Sequence, residues 1–139
     1  YVVHLGLFEA GRGRQTQALI DAVKESAPNG EPVIIAGDFN DWRNTLSDRL
    51  RTELGVAEVF DELGGEKSTS SKIGRLVNSL SRREPAVTPA RTFPAALPWF
   101  RLDRIYVRGF KVEAAQVLHG PLWAKLSDHA PIVAELKLS

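Results

Sequence analysis

Residues 32–41 read PVIIAGDFND and decide the fold of this 139-residue chain. The first five of these residues form a continuous apolar run rich in β-branched side chains, which is typical of a central strand covered on both faces. Gly37 follows, and Asp38, Phe39, Asn40 and Asp41 come directly after it. The stretch therefore predicts a buried strand that delivers polar side chains to one edge of a sheet.

Helical patterns lie on both sides of this strand. Residues 12–27 carry apolar side chains at helical spacing among charged ones, and the Pro-Asn-Gly that follows ends the pattern. Leucines recur at every fourth position over 46–54, with Asn44 or Thr45 as the N-cap and Gly55 as the C-cap. The first half of the chain therefore predicts alternating strands and helices.

The remaining predicted strands lie at the two ends of the chain. Residues 1–5 favour a short buried strand, and residues 102–107, 112–118 and 132–138 favour three more. The strands 102–107 and 112–118 are expected to pair with each other through a turn at 108–111. This order favours one domain over residues 1–139, of α/β (α+β) class, with a mixed β-sheet flanked by helices.

Between the two halves, the sequence turns polar and rich in Ser, Lys and Arg over residues 64–89. We interpret this stretch as a long insert or loop. Four apolar residues in it have the spacing of one amphipathic helix: Ile73, Leu76, Val77 and Leu80.

Composition excludes several classes of function. The formal net charge of +1 gives no broad basic surface for nonspecific nucleic-acid binding, so any polyanion contact is local. Cysteine is absent, which excludes disulfides, thiolate metal sites and a cysteine nucleophile. No transmembrane segment or signal peptide is predicted, and a cytoplasmic location is the default expectation. The chain has no methionine and begins within a predicted strand, from which we infer a fragment or a processed product.

Polar residues gather at the ends of predicted strands in three places. These are Asp38 with Asn40 and Asp41, Asp103 with Arg104, and Asp128 with His129. Each place has a plainer interpretation, as a turn, a surface ion pair or a cap, because Asp, Asn and Ser favour turns. Taken together they fit phosphoester hydrolysis, which needs an activated water, a cation on the phosphoryl oxygens and help for the leaving group.

Histidine suits the activation of water because its ordinary pKa is close to neutral pH. A carboxylate on its other ring nitrogen fixes the tautomer, and Asp103 is expected to supply that carboxylate to His129. Asp128 is then free to face a hard cation such as Mg²⁺, which prefers oxygen ligands. Asp38 and Asn40 are two apart on a strand end and point to the same side, so they can hold the water or contact the phosphate.

Four segments, in order along the chain, resemble the endonuclease/exonuclease/phosphatase superfamily, whose deoxyribonuclease I-like fold is shared by nucleases, sphingomyelinases and inositol-polyphosphate phosphatases. They are residues 2–5, the signature GDFND at 37–41, LDRIY at 102–106 and SDHAP at 127–131. The resemblance spans nearly the whole chain and is strongest to compact bacterial members.

The resemblance implies roles for individual residues. His4 would contact the scissile phosphate, with Asn40 as the second phosphate-binding residue. Asp38 and Asn40 would orient the nucleophile, and the base would be His129, oriented by Asp103. Asp128, together with Asp38, would lie at a Mg²⁺ ion, for which Mn²⁺ could substitute.

One departure from the family pattern affects activity. Domains of this family are about twice as long and open with a strand-end Asn and a metal-binding Glu, and neither maps onto this chain. The resemblance therefore implies that the N-terminal portion is missing, that the N-terminal half of the same domain is an expected partner, and that the fragment alone has weak or no turnover. The alternative is a binding module that keeps the fold without turnover.

The sequence leaves the substrate open between nucleic acid and small or lipid phosphodiesters. Trp42 and Arg43 could stack and pair with a nucleic-acid strand, or Trp42 could be a buried anchor. The apolar residues 97–100 could touch lipid or cover the core. A basic stretch could contact phosphates or form a solvated loop: Lys67, Lys72, Arg75, Arg82 and Arg83. His119 matches no motif and is expected in a loop.

Overall fold

The computed structural model describes residues 1–28, 30–69 and 90–139, with 65–69 described only as helical backbone. The six strands are β1 Val2–His4, β2 Val33–Asp38, β3 Ala57–Glu58, β4 Asp103–Arg108, β5 Phe110–Val117 and β6 Ile132–Leu138. The four helices of the described ranges are α1 Glu9–Ser26, α2 Leu46–Leu54, α3 Val59–Thr69 and α4 Pro121–Leu126.

The strands form two sheets. The first has the order β1-β2-β4-β3, with β1 and β2 parallel and the other neighbours antiparallel, and the second is the antiparallel pair β5-β6. The mixed α/β class is confirmed. The predicted pairing of 102–107 with 112–118 is wrong, because both edges of β4 are already taken by β2 and β3. The turn at Gly109 instead carries the chain into the second sheet, where β5 pairs with β6.

Helices α1 and α2 cover one face of the first sheet. Ile20 and Val23 of α1 and Leu50 of α2 pack on Ile35 and Tyr106 in one buried cluster. The helical spacing of the apolar residues explains this packing, since residues three and four apart share one helix face. The two predicted helices are confirmed, with α1 starting three residues earlier than expected.

The opposite face of the first sheet is covered only in part. Ile105 and Val107 of β4 pack among the residues of α3 and the second sheet, but Ile34 of β2 is 38% exposed and Val2 of β1 is 91% exposed. The predictions of a β2 strand covered on both faces and of a buried β1 are therefore wrong. The covering sheet has two strands and lies over the β4 side, so the side chains of β1 and β2 on this face remain accessible.

Arg108 joins the helices to the end of β4 that lies away from Asp103. Its guanidinium donates to the carbonyl oxygens of Ala27 (2.8 Å), Glu31 (2.9 Å) and Leu54 (2.6 Å). Ala27 is the C-cap of α1 and Leu54 is the last residue of α2, where carbonyl groups lack partners within the helix. The guanidinium of Arg108 thus supplies hydrogen-bond donors to carbonyl groups at the C-terminal ends of both helices.

Three elements were not predicted: β3, α3 and α4. The predicted insert begins inside α3, whose last residues are 64–69, and the rest of it, including the proposed helix at 73–80, lies outside the described residues. Within the described ranges, no helix combines the length and apolar character needed to cross a bilayer.

The contact between β1 and β2 requires a glycine. Gly37 has a φ of 140°, and a Cβ atom there would lie 1.9 Å from the carbonyl oxygen of Val3. Only a residue without a side chain allows β1 to approach β2 at this point. The signature glycine therefore serves to place β1 beside Asp38.

We predict that Gly37→Ala destabilises the chain by about 3 kcal/mol, because the added methyl group pushes β1 away and the backbone is strained. The same exchange at Gly11, in α1 with open space around it, should stabilise the chain by about 0.5 to 1 kcal/mol. Urea denaturation followed by circular dichroism measures both. Equal effects at the two positions would contradict the close approach of β1.

Candidate functional site

Three polar side chains stand in a row across the first sheet. In the strand register, His4 of β1 is opposite Asp38 of β2, and Asp38 is opposite Asp103 of β4. Residues in register across neighbouring strands share one face of a sheet. His4 Nε2 lies 3.6 Å from Asp38 Oδ2. The structure therefore brings together three predicted site residues from distant parts of the sequence.

His129 reaches this row from the loop that follows α4. Its Nδ1 lies 2.7 Å from Asp103 Oδ2, and its ring packs 4.9 Å from the ring of Phe93, between centroids. Its backbone N–H donates to Ser127 Oγ at 3.1 Å. A carboxylate at Nδ1 directs Nε2 away from Asp103, which is the arrangement that a general base requires.

Thr92 holds the two segments that carry this pair. Its Oγ1 accepts the backbone N–H of Asp103 at 3.3 Å, and its carbonyl oxygen accepts the N–H of Ala130 at 2.8 Å. Ala95 N–H donates to the carbonyl of Asp128 at 2.7 Å. Thr92 is fully buried, so this connection is shielded from water.

Asn40 has a more local role than expected. Its backbone N–H donates to Asp38 Oδ1 at 2.8 Å, and its side-chain amide donates to the carbonyl of Leu5 at 2.6 Å. Asn40 is buried and has a φ of 47°, a left-handed conformation that asparagine tolerates better than most residues. The side-chain amide of Asn40 thus links the loop after β2 to the end of β1.

Asp41 caps α2. Its Oδ1 accepts the backbone N–H of Thr45 at 3.0 Å, and its Oδ2 accepts that of Leu46 at 2.8 Å. Thr45, one of the two predicted residues, occupies the N-cap position, but its side chain makes no capping hydrogen bond and the carboxylate of Asp41 supplies the acceptors. A carboxylate here also interacts favourably with the positive end of the helix.

Arg104 fixes the loop between β2 and α2. It is buried and donates to the carbonyl of Asp41 (3.1 Å), to Ser47 Oγ (2.8 Å) and to Asn44 Oδ1. The surface-pair interpretation of Asp103 and Arg104 is therefore wrong. Alternation along β4 was the signal that could have found this, since neighbouring residues of a strand point to opposite faces.

A buried ion pair anchors the segment that enters β4. Glu58 contacts Arg101, and Arg101 also lies 3.1 Å from Asp61. Burial raises the pKa of Glu58, and the charge of Arg101 opposes that increase. Arg101 is two residues before Asp103, so this pair fixes the start of the strand that carries Asp103.

The charges around His129 alter its basicity. Partial burial acts to lower the pKa of His129. The hydrogen bond and charge of Asp103 outweigh this effect, and the charges of Asp38 and Asp128 add to them. The pKa of His129 is therefore raised above its ordinary value. These carboxylates therefore stabilise the imidazolium that forms when His129 takes a proton.

His4, Asp38 and His129 border a cavity of about 300 Å³. Its polar lining residues are His4, Asp38, Asn40 and His129. Its apolar lining residues are Leu7, Trp42, Phe93, Phe100 and Leu102, of which Trp42, Phe100 and Leu102 belong to segments singled out in the sequence. The cavity therefore combines groups able to act on a phosphoester with a largely apolar wall.

Two apolar features of the sequence are exposed rather than buried. Trp42 is 54% exposed and contacts Phe100 edge to face at 5.7 Å between ring centroids. Leu97 and Trp99 are each 65% exposed. The interpretations of Trp42 as a buried anchor and of residues 97–100 as core cover are therefore wrong. The predicted basic stretch begins at Lys67, and its side chains lie outside the described part.

The described ranges contain no group of three or more His, Cys, Asp or Glu side chains arranged to hold a metal ion. Asp38 and Asp128, the expected ligands, supply two carboxylates, and one oxygen of Asp38 already accepts the N–H of Asn40. These two residues alone do not form a complete Mg²⁺ site. His119 lies in the loop between β5 and α4, as predicted.

Residues 1–129 match the model of the Endonuclease/Exonuclease/phosphatase family, which covers the whole row of polar residues. The chain belongs to this family. The resemblance found in the sequence is thereby confirmed. Enzymes of the family are hydrolases that include phosphatases and nucleases, which agrees with a site of this composition.

A relative from Escherichia coli matches nearly the whole chain, and two solved structures share its fold. The chain is 41% identical over 136 residues to an uncharacterized protein, YbhP, of Escherichia coli K12, covering 98% of this chain and 45% of the relative. It superposes on an endonuclease/exonuclease/phosphatase of Bacteroides vulgatus (TM-score 0.64, 21% identity, covering 94% and 45%). It also superposes on a mannosyl-6-phosphatase of Bacteroides thetaiotaomicron (TM-score 0.67, 19% identity, covering 99% and 50%). The deoxyribonuclease I-like fold is confirmed, and the chain spans about half the length of these proteins.

We predict that Asp103→Asn lowers the pKa of His129, because the charge and strong hydrogen bond that raise it are lost while the burial remains. NMR titration of the histidine ring protons in metal-free buffer measures this. Asp48→Asn, at an exposed carboxylate of α2, is the matched control and should leave the curve of His129 unchanged. An unchanged curve in Asp103→Asn would contradict the contact.

The same shift predicts a pH dependence of stability. The pKa of His129 is higher in the folded than in the unfolded chain, so protonated His129 stabilises the fold. This contribution is complete below the unfolded pKa and is lost as the pH rises through the folded pKa. The difference in unfolding free energy between the parent chain and Asp103→Asn should therefore shrink over that window. A difference that grows with pH would contradict the sign.

Proposed function

We propose that the protein is a divalent-metal-dependent phosphoester hydrolase in which His129, oriented by Asp103, activates a water molecule. The observation that carries this proposal is the 2.7 Å contact between His129 Nδ1 and Asp103 Oδ2 at the border of a cavity that His4 and Asp38 also line. Family membership supports the reaction class.

In the proposed mechanism, the Nδ1–H of His129 donates to Asp103, so Nε2 accepts a proton from water as the water attacks phosphorus. The carboxylates of Asp103, Asp38 and Asp128 stabilise the resulting imidazolium. His4 is exposed and borders the cavity, where it can contact the phosphoryl oxygens. Asp38 can orient the water or serve the leaving group, which departs as its P–O bond breaks and takes up a proton.

The metal requirement is part of this proposal. Asp38 and Asp128 are the candidate ligands in this chain, for Mg²⁺ or for Mn²⁺ in its place, because both ions prefer carboxylate oxygens. A bound ion would neutralise the phosphoryl oxygens during attack. The remaining ligands would come from the N-terminal half of the same domain, the proposed partner of this chain.

A binding module without turnover is the second candidate. The incomplete metal site among the described residues favours it. The buried polar residues near the site, Arg104 and Thr92, favour the enzyme. Burying polar side chains around a loop costs free energy, and packing alone does not require it.

Replacing His129 with Ala should reduce hydrolysis of a simple phosphodiester by about 10²-fold or more, since the general base is lost. The assay uses bis(p-nitrophenyl) phosphate with Mg²⁺ or Mn²⁺ and the longest natural polypeptide that contains residues 1–139. His119→Ala, at the loop histidine, is the matched control and should keep full activity. Equal activities in the two variants would contradict the assignment.

The 139-residue chain by itself should bind Mg²⁺ weakly and turn over substrate slowly or not at all, because its described residues supply too few ligands. Isothermal titration calorimetry with Mg²⁺ and Mn²⁺ measures binding independently of turnover. Robust metal-dependent hydrolysis by residues 1–139 would overturn the need for a second half. No metal binding by the longer polypeptide would favour the module.

A further inference from the structure

The backbone N–H of Asp103 points away from the strand with which β4 pairs at this end. Phe39 N–H donates to the carbonyl oxygen of Leu102 at 2.9 Å, and Asp38 with Asp103 is the next pair in the same register. Hydrogen-bonded and non-hydrogen-bonded pairs alternate in an antiparallel ladder, so the N–H of Asp103 is directed away from β2. On the other side of β4, within the described ranges, β3 pairs only as far as Tyr106.

Thr92 takes the place of a strand partner for this N–H. Its Oγ1 accepts the N–H of Asp103 at 3.3 Å. Thr92 is fully buried, so close packing holds the hydroxyl in this position. The first residue of β4 is thus fixed by a side chain where the ladder supplies no acceptor.

The segment that contains Thr92 also contacts the other member of the pair. The carbonyl oxygen of Thr92 accepts the N–H of Ala130, next to His129, at 2.8 Å. The ring of Phe93 packs on the imidazole of His129 at 4.9 Å between centroids. Residues 92 and 93 therefore connect the strand that carries Asp103 to the loop that carries His129.

Of the two hydrogen bonds that Thr92 accepts, one depends on its side chain. Any residue at this position can offer a carbonyl oxygen to Ala130, but only a hydroxyl of this reach can accept from Asp103. Valine has nearly the shape of threonine without the hydroxyl, so in Thr92→Val the N–H of Asp103 loses its acceptor. Asp103 would then move toward another acceptor, and its carboxylate would leave the 2.7 Å contact with His129 Nδ1.

We propose that Thr92 is a positioning residue for the base: its hydroxyl fixes the backbone of Asp103 so that the carboxylate stays on Nδ1 of His129. Thr92 is not among the residues that line the cavity, so it acts through Asp103 and not on a substrate. Its effect on turnover rests on the proposed function, but its effect on the geometry of the pair does not.

NMR observes the contact directly and without turnover. An Nδ1 proton held by a carboxylate gives a far-downfield signal that exchanges slowly with water. We expect Thr92→Val to weaken or abolish this signal of His129, and Thr92→Ser, which keeps a hydroxyl, to retain it. All polypeptides are the longest natural one that contains residues 1–139. An unchanged signal in Thr92→Val, or an equal loss in Thr92→Ser, would overturn the proposal.

Thr16 provides the matched control. It is also fully buried, and its hydroxyl donates to the carbonyl oxygen of Arg12 at 2.8 Å within α1, on the opposite face of the first sheet. Thr16→Val removes a buried hydroxyl of the same kind and should leave the signal of His129 unchanged. A similar loss in Thr16→Val would mean a general loosening of the fold and would overturn the assignment to Thr92.

Turnover gives a second measurement. With bis(p-nitrophenyl) phosphate and Mg²⁺ or Mn²⁺, Thr92→Val should lower kcat by about tenfold at nearly unchanged KM, because a misplaced base slows the chemical step. Thr92→Ser should recover most of the loss, and Thr16→Val should keep full activity. A higher KM at unchanged kcat would contradict a positioning role.

Amide hydrogen exchange on the parent polypeptide needs no substitution and decides the matter even where Thr92→Val does not fold. The N–H of Asp103 should exchange at least about 10²-fold more slowly than in an unstructured peptide, since Thr92 holds it. Exchange at the unprotected rate would overturn the proposal. The expected NMR results without hydrolysis by any of these polypeptides would refute the proposed function and leave the role of Thr92 in place.

Discussion

The register of β1, β2 and β4 is the constraint on which the rest of the site depends. It sets His4, Asp38 and Asp103 opposite one another, and it holds only because Gly37 lets the carbonyl of Val3 come close. Side chains alternate along a strand, so a slip of one residue would send Asp38 to the face covered by helices. Backbone pairing between the strands therefore determines which side chains meet at the candidate site.

Much of the fold and of the site could be predicted from local patterns. The helices α1 and α2 follow from the spacing of their apolar residues, and β6 lies where its sequence indicated. The polar residues at strand ends, together with the family resemblance, predicted that His129 and Asp103 lie close to each other. Local signals suffice for these features because each depends on a few neighbouring residues.

The predictions that were wrong concern features that depend on contacts between distant parts of the chain. The partner of β5 could not be foreseen, because β3 is only two residues long and gave no sign that it takes the free edge of β4. The exposure of Ile34 also follows from which face the second sheet covers. The surface-pair alternative for Arg104 failed because its partners, Asn44 and Ser47, lie about 60 positions away in the sequence.

The two ends of β4 differ in how they respond to acidity. Arg108 binds the last carbonyl groups of α1 and α2 with a guanidinium that keeps its charge at any pH a protein meets. At the other end, the hydrogen bond and charge of Asp103 raise the pKa of His129, whose ring gains a proton as the pH falls. Acidification would thus protonate the base of the proposed mechanism while Arg108 still holds the helices to the sheet, so the proposed activity would be lost before the fold.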